Sequence, residues 1–111
     1  MRVTISTTDE FNRQARRLAK KYKSLKNDLR SFQQELLDTP LQGDDLGGGV
    51  RKIRMAIGSK GKGRSGGARV LTLNVLVSDD ADVTLLTIYD KEEIDNVSDN
   101  YIKGLVSEAK T

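Results

Sequence analysis

Seven basic residues lie in a stretch of the chain that contains no acidic residue. The stretch runs between Asp45 and Asp79, and nothing close in sequence neutralises its charge. Its cations are Arg51, Lys52, Arg54, Lys60, Lys62, Arg64 and Arg69. Dense lysine and arginine are typical of surfaces that bind phosphates, so this pattern predicts a phosphate-rich partner. The alternative is a basic loop that is merely solvated.

Chemistry in this chain is restricted by the absence of histidine and cysteine. Histidine triads and zinc sites built from histidine or thiolate ligands are excluded. Proton transfer must use Lys, Tyr, Asp or Glu, whose pKa values have to be shifted by their surroundings before they act well near neutrality. We expect neither a metal nor a cofactor.

The length of 111 residues predicts one domain, covering residues 1–111. No segment is apolar enough for a signal peptide or a membrane span, and we expect no membrane partner. The absence of cysteine fits a reducing compartment. The expected location is therefore the cytoplasm.

The spacing of apolar residues predicts the element order βααβββα. A strand at 2–6 precedes two helices, at about 8–22 and 24–38, which form a hairpin. Thr7 and Glu10 have the spacing of a capping box for the first helix. Three later strands, VRKIRMAI, ARVLTLNVLV and VTLLTIY, precede a helix capped by Ser98. We predict an α+β domain in which the helical hairpin packs on one face of a twisted antiparallel sheet.

Two-residue alternation assigns the strand side chains to faces. It places Lys52 and Arg54 together, away from the apolar residues of their strand. In the last strand it groups Tyr89 with Leu85. The face of Arg69 stays open, because strict alternation puts it on an apolar face and a bulge near the strand start would turn it outward.

The segment GSKGKGRSGG, residues 58–67, is predicted to be a mobile loop. Its glycines disfavour regular structure, and Lys60, Lys62 and Arg64 repel one another without a local counter-charge. Residues 58–65 also approach the nucleotide-binding pattern G-x-x-x-x-G-K-[ST], with Arg64 in the lysine position. A strand follows where that motif requires a helix, which argues against nucleotide hydrolysis.

Two linked segments resemble the RelE/ParE superfamily, and most closely its HigB-like toxins. They are GVRKIRMAIGSKGKGRSGGARV and LLTIYDKEE, and the element order extends the likeness over nearly the whole chain. The resemblance implies a ribosome-dependent endoribonuclease that cuts mRNA. It also implies a cognate antitoxin, often with a helix-turn-helix DNA-binding domain.

The resemblance also implies which residues act. Its catalytic set maps onto Lys52, Arg54, Arg69, Tyr89 and Lys91, and the cations expected to hold RNA are Arg51, Lys60, Lys62 and Arg64. The chain departs from its relatives at three positions. A tyrosine is replaced by Val97, and aromatics of the third strand are replaced by Thr72 and Asn74.

Cleavage through the 2′-OH needs a group that takes a proton and cations that stabilise the phosphate. Arg54 and Arg69 suit the phosphate because a guanidinium binds two oxygens at once. Lys52 or Lys91 would act as base or acid. The competing interpretations are that Lys52 and Arg54 only solvate a face of the sheet and that Tyr89 only packs at the end of its strand. The alternative function is that of a non-catalytic relative. It would be a ParE-like inhibitor that binds a protein such as gyrase, or a degenerate family member that binds only its antitoxin.

Overall fold

A computed structural model describes residues 2–110. Three helices and five strands follow one another with short connections. Their bounds are β1 Val3–Thr7, α1 Asp9–Lys21, α2 Leu25–Asp38, β2 Asp44–Gly47, β3 Val50–Met55, β4 Ala68–Val77, β5 Asp80–Asp90 and α3 Asp99–Lys110, with one 3-10 turn at Gly58–Lys60. The α+β class and the helical hairpin are confirmed.

The five strands form one sheet in the order β1-β5-β4-β3-β2. Strands β2 to β5 are antiparallel to their neighbours, whereas β1 runs parallel to β5, so the sheet is mixed rather than antiparallel throughout. No hairpin turn joins β1 to a neighbouring strand, so the local sequence does not indicate the direction of β1. Strand β2 is an addition to the predicted order βααβββα. Its Asp44 and Asp45 pair with Lys52 and Arg51.

Side-chain hydrogen bonds form at the start of each helix. The Thr8 hydroxyl accepts a hydrogen bond from the amide of Phe11 at 2.9 Å, so Thr8, not Thr7, caps α1. The Ser24 hydroxyl does not cap α2 but donates to Asp28 at 2.7 Å. At the other end of the chain, Ser98 caps α3 as predicted, accepting from the Tyr101 amide at 3.1 Å.

Each face of the sheet carries its own apolar cluster. The hairpin face, covered by α1 and α2, contains buried residues such as Phe11, Phe32 and Ile53. The α3 face, covered by α3, is smaller and contains Leu71 and Leu105. Residues 2–110 include no helix with the length and apolar character that crossing a membrane requires.

A β-bulge in β5 decides which residues face α3. Leu71 pairs with Thr87 and the next residue of β4 pairs with Leu85, which leaves Leu86 as the extra residue. Alternation is broken there: Leu85 lies in the cluster of the hairpin face, whereas Tyr89 lies in that of the α3 face. The predicted grouping of Leu85 with Tyr89 is therefore wrong.

Candidate functional site

Three residues of the predicted set form a row across the sheet. Arg54 of β3 lies directly opposite Arg69 of β4, and Arg69 lies directly opposite Tyr89 of β5. Directly paired residues project from the same face, so the row lies on the α3 face. Lys52 is two residues before Arg54 and shares that face.

Arg69 is buried, and its guanidinium binds backbone. It donates to the carbonyl oxygens of Arg64 at 3.1 Å, Ser65 at 3.0 Å and Ala68 at 3.2 Å. Strict alternation therefore holds in this part of β4, and the open question of the arginine's face is settled. Arg69 contributes positive charge to the row while it holds the end of the glycine-rich loop.

Tyr89 is also buried, and within residues 2–110 its hydroxyl has no hydrogen-bond partner. Burial raises the pKa of Tyr89, the positive charge of Arg69 partly opposes this, and the carboxylate of Asp95 adds to it. The phenol is therefore protonated at neutral pH. Such a group can give a proton but cannot take one.

Lys91 and Asp95 form an ion pair beside the row, and the Lys91 ammonium also donates to the Asp95 carbonyl at 3.2 Å. The hydrogen bond from Lys91 lowers the pKa of Asp95, and the charge of Lys52 lowers it further. Asp95 therefore interacts electrostatically with both lysines of the predicted catalytic set and with Tyr89. Asp95 was not among the predicted residues, although its spacing of four residues from Lys91 was a usable signal.

The cations of the glycine-rich loop are paired with carboxylates distant in sequence. Lys60 binds Asp90 at 2.7 Å, and Arg64 lies 3.3 Å from Glu35. Glu92 accepts from both Lys60, at 3.0 Å, and Lys62, at 2.8 Å. The expectation that these charges repel one another without a counter-charge is wrong, because the partners come from α2, from the end of β5 and from the segment that follows β5.

Asp90 anchors this loop from a fully buried position. It accepts hydrogen bonds from the Tyr22 hydroxyl, from Lys60 and from the Glu92 amide at 3.0 Å. Burial alone would raise the pKa of Asp90, but the hydrogen bonds from Lys60 and Tyr22 lower it to about 2. Asp90 was not among the predicted residues, because its partners lie 30 and 68 residues away along the chain.

Within residues 2–110, two of the predicted cations on the sheet form neither an ion pair nor a hydrogen bond through their side chains. Arg51 donates to the Gly43 carbonyl at 3.2 Å and lies 3.9 Å from Asp45. Within the part of the chain that the structure describes, Lys52 and Arg54 form no ion pair, and Arg54 is exposed. These two residues are therefore the ones most available to a phosphate.

The positions that depart from the relatives' aromatics are occupied structurally. Thr72 is fully buried, and the Asn74 amide donates to the Pro40 carbonyl at 3.2 Å. Val97 packs against the cluster of the α3 face. None of the three offers a ring to a substrate base, so stacking would have to come from other residues.

No group of three or more acidic residues within residues 2–110 is arranged to hold a metal ion. One family model matches the chain over residues 1–111. It is described as the RelE toxin of the RelE/RelB toxin–antitoxin system.

Proposed function

The chain belongs to the RelE toxin family of toxin–antitoxin systems, and from that premise we propose that it is a ribosome-dependent endoribonuclease that cleaves mRNA and thereby inhibits translation. The observation that carries the proposal is the row of Arg54, Arg69 and Tyr89 with the unpaired Lys52 on the same face. Two cations without carboxylate partners beside a protonated phenol suit a phosphodiester.

The proposed reaction is attack of the RNA 2′-oxygen on the adjacent phosphorus, with cleavage of the bond to the 5′-oxygen. Arg54 holds the phosphate oxygens, and Arg69 adds charge from beneath without leaving its carbonyl partners. Lys52 takes the 2′-OH proton. Tyr89 gives its proton to the departing 5′-oxygen, a role that agrees with its raised pKa.

Lys91 and Tyr89 are not free to contact RNA in the arrangement that the structure shows. Lys91 is bound to Asp95, and we assign it to the phosphate once that ion pair opens. The Tyr89 hydroxyl is covered, so its contact with RNA requires movement of the residues above it. Among the loop cations, Lys62 and Arg64 are the more exposed, and we propose that they grip the RNA backbone together with Arg51. Lys60 supports the loop from its buried position.

Residues 1–111 are proposed to act as one domain in the cytoplasm, in the HigB-like branch, without a metal or cofactor. The proposed partners are mRNA on the ribosome and a cognate antitoxin with a helix-turn-helix domain. These proposals rest on the family and on the resemblance of the glycine-rich loop.

A second function, inhibition by protein binding without catalysis, is favoured by one observation. The guanidinium of Arg69 is occupied by backbone carbonyls and the Tyr89 hydroxyl is covered. A protein that retained the fold and lost the reaction would show the same arrangement. Ribosome-dependent cleavage distinguishes the two functions.

The test is expression of the protein in a bacterium that lacks an antitoxin, followed by mapping of mRNA ends on purified ribosomes. We expect growth arrest and cleavage from the wild type, and loss of both from Lys52→Ala with Arg54→Ala. The matched control is Lys23→Ala with Lys26→Ala, two exposed lysines without an ion pair in the described chain. Growth arrest without cleavage would support the second function. Equal cleavage by the double variant would remove Lys52 and Arg54 from the mechanism.

A further inference from the structure

A cleft of about 560 Å³ lies between the turn that joins β2 to β3 and the helix α3. Its floor is aliphatic, with Val50 from the sheet and Val97, Ile102 and Val106 from the segment that covers the sheet. Three of these four side chains are only partly buried, so part of this apolar surface remains open to solvent. A concave apolar surface of this size is large enough to hold several side chains of a partner.

The rim of the same cleft is cationic. Lys52, Lys103 and Lys110 line it, and none of the three forms an ion pair within residues 2–110. One acidic residue, Asp99, also lines the cleft, which leaves an excess of positive charge. At Gly48 an added side chain would meet nothing within 4 Å, so the wall on that side is open.

This combination favours a polypeptide over RNA. Unpaired bases stack on aromatic rings or on guanidinium groups, and the described residues that line the cleft include neither. Aliphatic floors bind apolar side chains, as in grooves that receive amphipathic helices. The lysines then select a segment that carries carboxylates beside its apolar residues.

We propose that this cleft docks an acidic amphipathic segment of a partner protein. Its apolar side chains lie on Val50, Ile102 and Val106, and its carboxylates pair with Lys103, Lys110 and Lys52. The inference rests on the proposed function in one respect, since Lys52 is shared with the proposed catalytic set. An occupant of the cleft therefore neutralises a cation that the RNA would need.

The experiment uses the full chain and a labelled helical peptide of about 16 residues, with leucines at i, i+3, i+4 and i+7 and glutamates between them. A scrambled peptide of the same composition keeps the charge and lacks the apolar face. We expect fluorescence anisotropy to report binding of the patterned peptide and at least about tenfold weaker binding of the scrambled one.

Charge reversal at the rim tests the lysines. Lys103→Glu with Lys110→Glu should weaken peptide binding about tenfold. Both residues are exposed, so thermal unfolding should change little. The matched control is Lys23→Glu with Lys26→Glu, which should bind as the wild type does. In amide NMR spectra, the peptide should shift the signals of Gly47 and Gly48.

Equal peptide binding by the rim variant would overturn the proposal, as would peptide-induced shifts confined to another surface. If a uridine oligonucleotide shifted the Gly47 and Gly48 signals and the peptide did not, the cleft would belong to RNA. None of these measurements requires cleavage. A failed peptide experiment therefore leaves the nuclease assignment untouched, and a failed cleavage experiment leaves the cleft assignment untouched.

Discussion

Arg69 and Tyr89 lie directly opposite each other on neighbouring strands, and the arginine charge faces a phenol that has no hydrogen-bond partner within residues 2–110. An unpaired buried hydroxyl costs folding free energy. The raised pKa of Tyr89 keeps that hydroxyl protonated. A group that costs stability and can donate a proton fits a role in the reaction better than a role in packing.

Replacement Tyr89→Phe should separate these two roles. Because the hydroxyl has no partner, its removal should leave the free energy of unfolding unchanged or raise it by about 1 kcal/mol. Cleavage should fall about 100-fold if the phenol is the general acid. Urea unfolding and ribosome cleavage are measured on the same preparation. A destabilised variant with full cleavage would show that the hydroxyl is structural.

Replacement Asp95→Asn should strengthen binding of single-stranded RNA. It releases Lys91 from its ion pair and removes the negative charge that Lys52 also feels. We expect about threefold tighter binding at low salt and no difference at about 500 mM salt, where exposed charges are screened. Anisotropy titrations measure both conditions. The control is Asp79→Asn in the exposed turn between β4 and β5, and an equal gain there would reduce the effect to net charge.

The two neighbouring loop lysines should differ in their effect on stability. Lys60→Ala leaves the buried Asp90 without its closest cation and should cost about 3 kcal/mol. Lys62→Ala removes an exposed pair with Glu92 and should change stability by about 0.5 kcal/mol or less. Urea denaturation of the two single variants makes the comparison. Similar losses in both variants would contradict the anchoring of the loop through Asp90.

Asp90 should make the stability of the protein depend on acid pH. Its pKa is lowered from 3.8 to about 2, so the carboxylate stabilises the fold above pH 4. This contribution, of about 2 kcal/mol, should be lost as pH falls from about 4 to about 2. Unfolding at several pH values should show that loss in the wild type. Asp90→Asn should already lack the contribution at pH 7, and an unchanged acid slope in that variant would assign the slope to other carboxylates.

Local patterning was sufficient for part of the fold and part of the site. The α+β class, the helical hairpin and the shared face of Lys52 and Arg54 follow from the spacing of apolar residues, because periodicity reports which side of an element is buried. The catalytic set itself was predicted from the family resemblance. The structure adds that Arg54, Arg69 and Tyr89 lie next to one another across the sheet.

The remaining features depend on pairing through space. Lys60 lies 30 residues from Asp90, and Arg64 lies 29 residues from Glu35, so no local pattern reveals that the loop is neutralised. No turn joins β1 to its neighbour β5, so no turn sequence indicates that the two strands are parallel. Two adjacent leucines, Leu85 and Leu86, interrupt the alternation at the bulge, but a strand that is buried on both faces has the same pattern, so they do not by themselves indicate a bulge.

That bulge lets β5 hold one residue more than the pairing of Arg69 with Tyr89 requires. If β5 kept Leu86 and continued as a regular strand, Tyr89 would turn under the helices and Asp90 would turn away from Lys60 and Tyr22. Deletion of Leu86 would instead straighten the strand and leave Tyr89 opposite Arg69. The same row of side chains is therefore compatible with two lengths of β5, one with the additional residue and one without it.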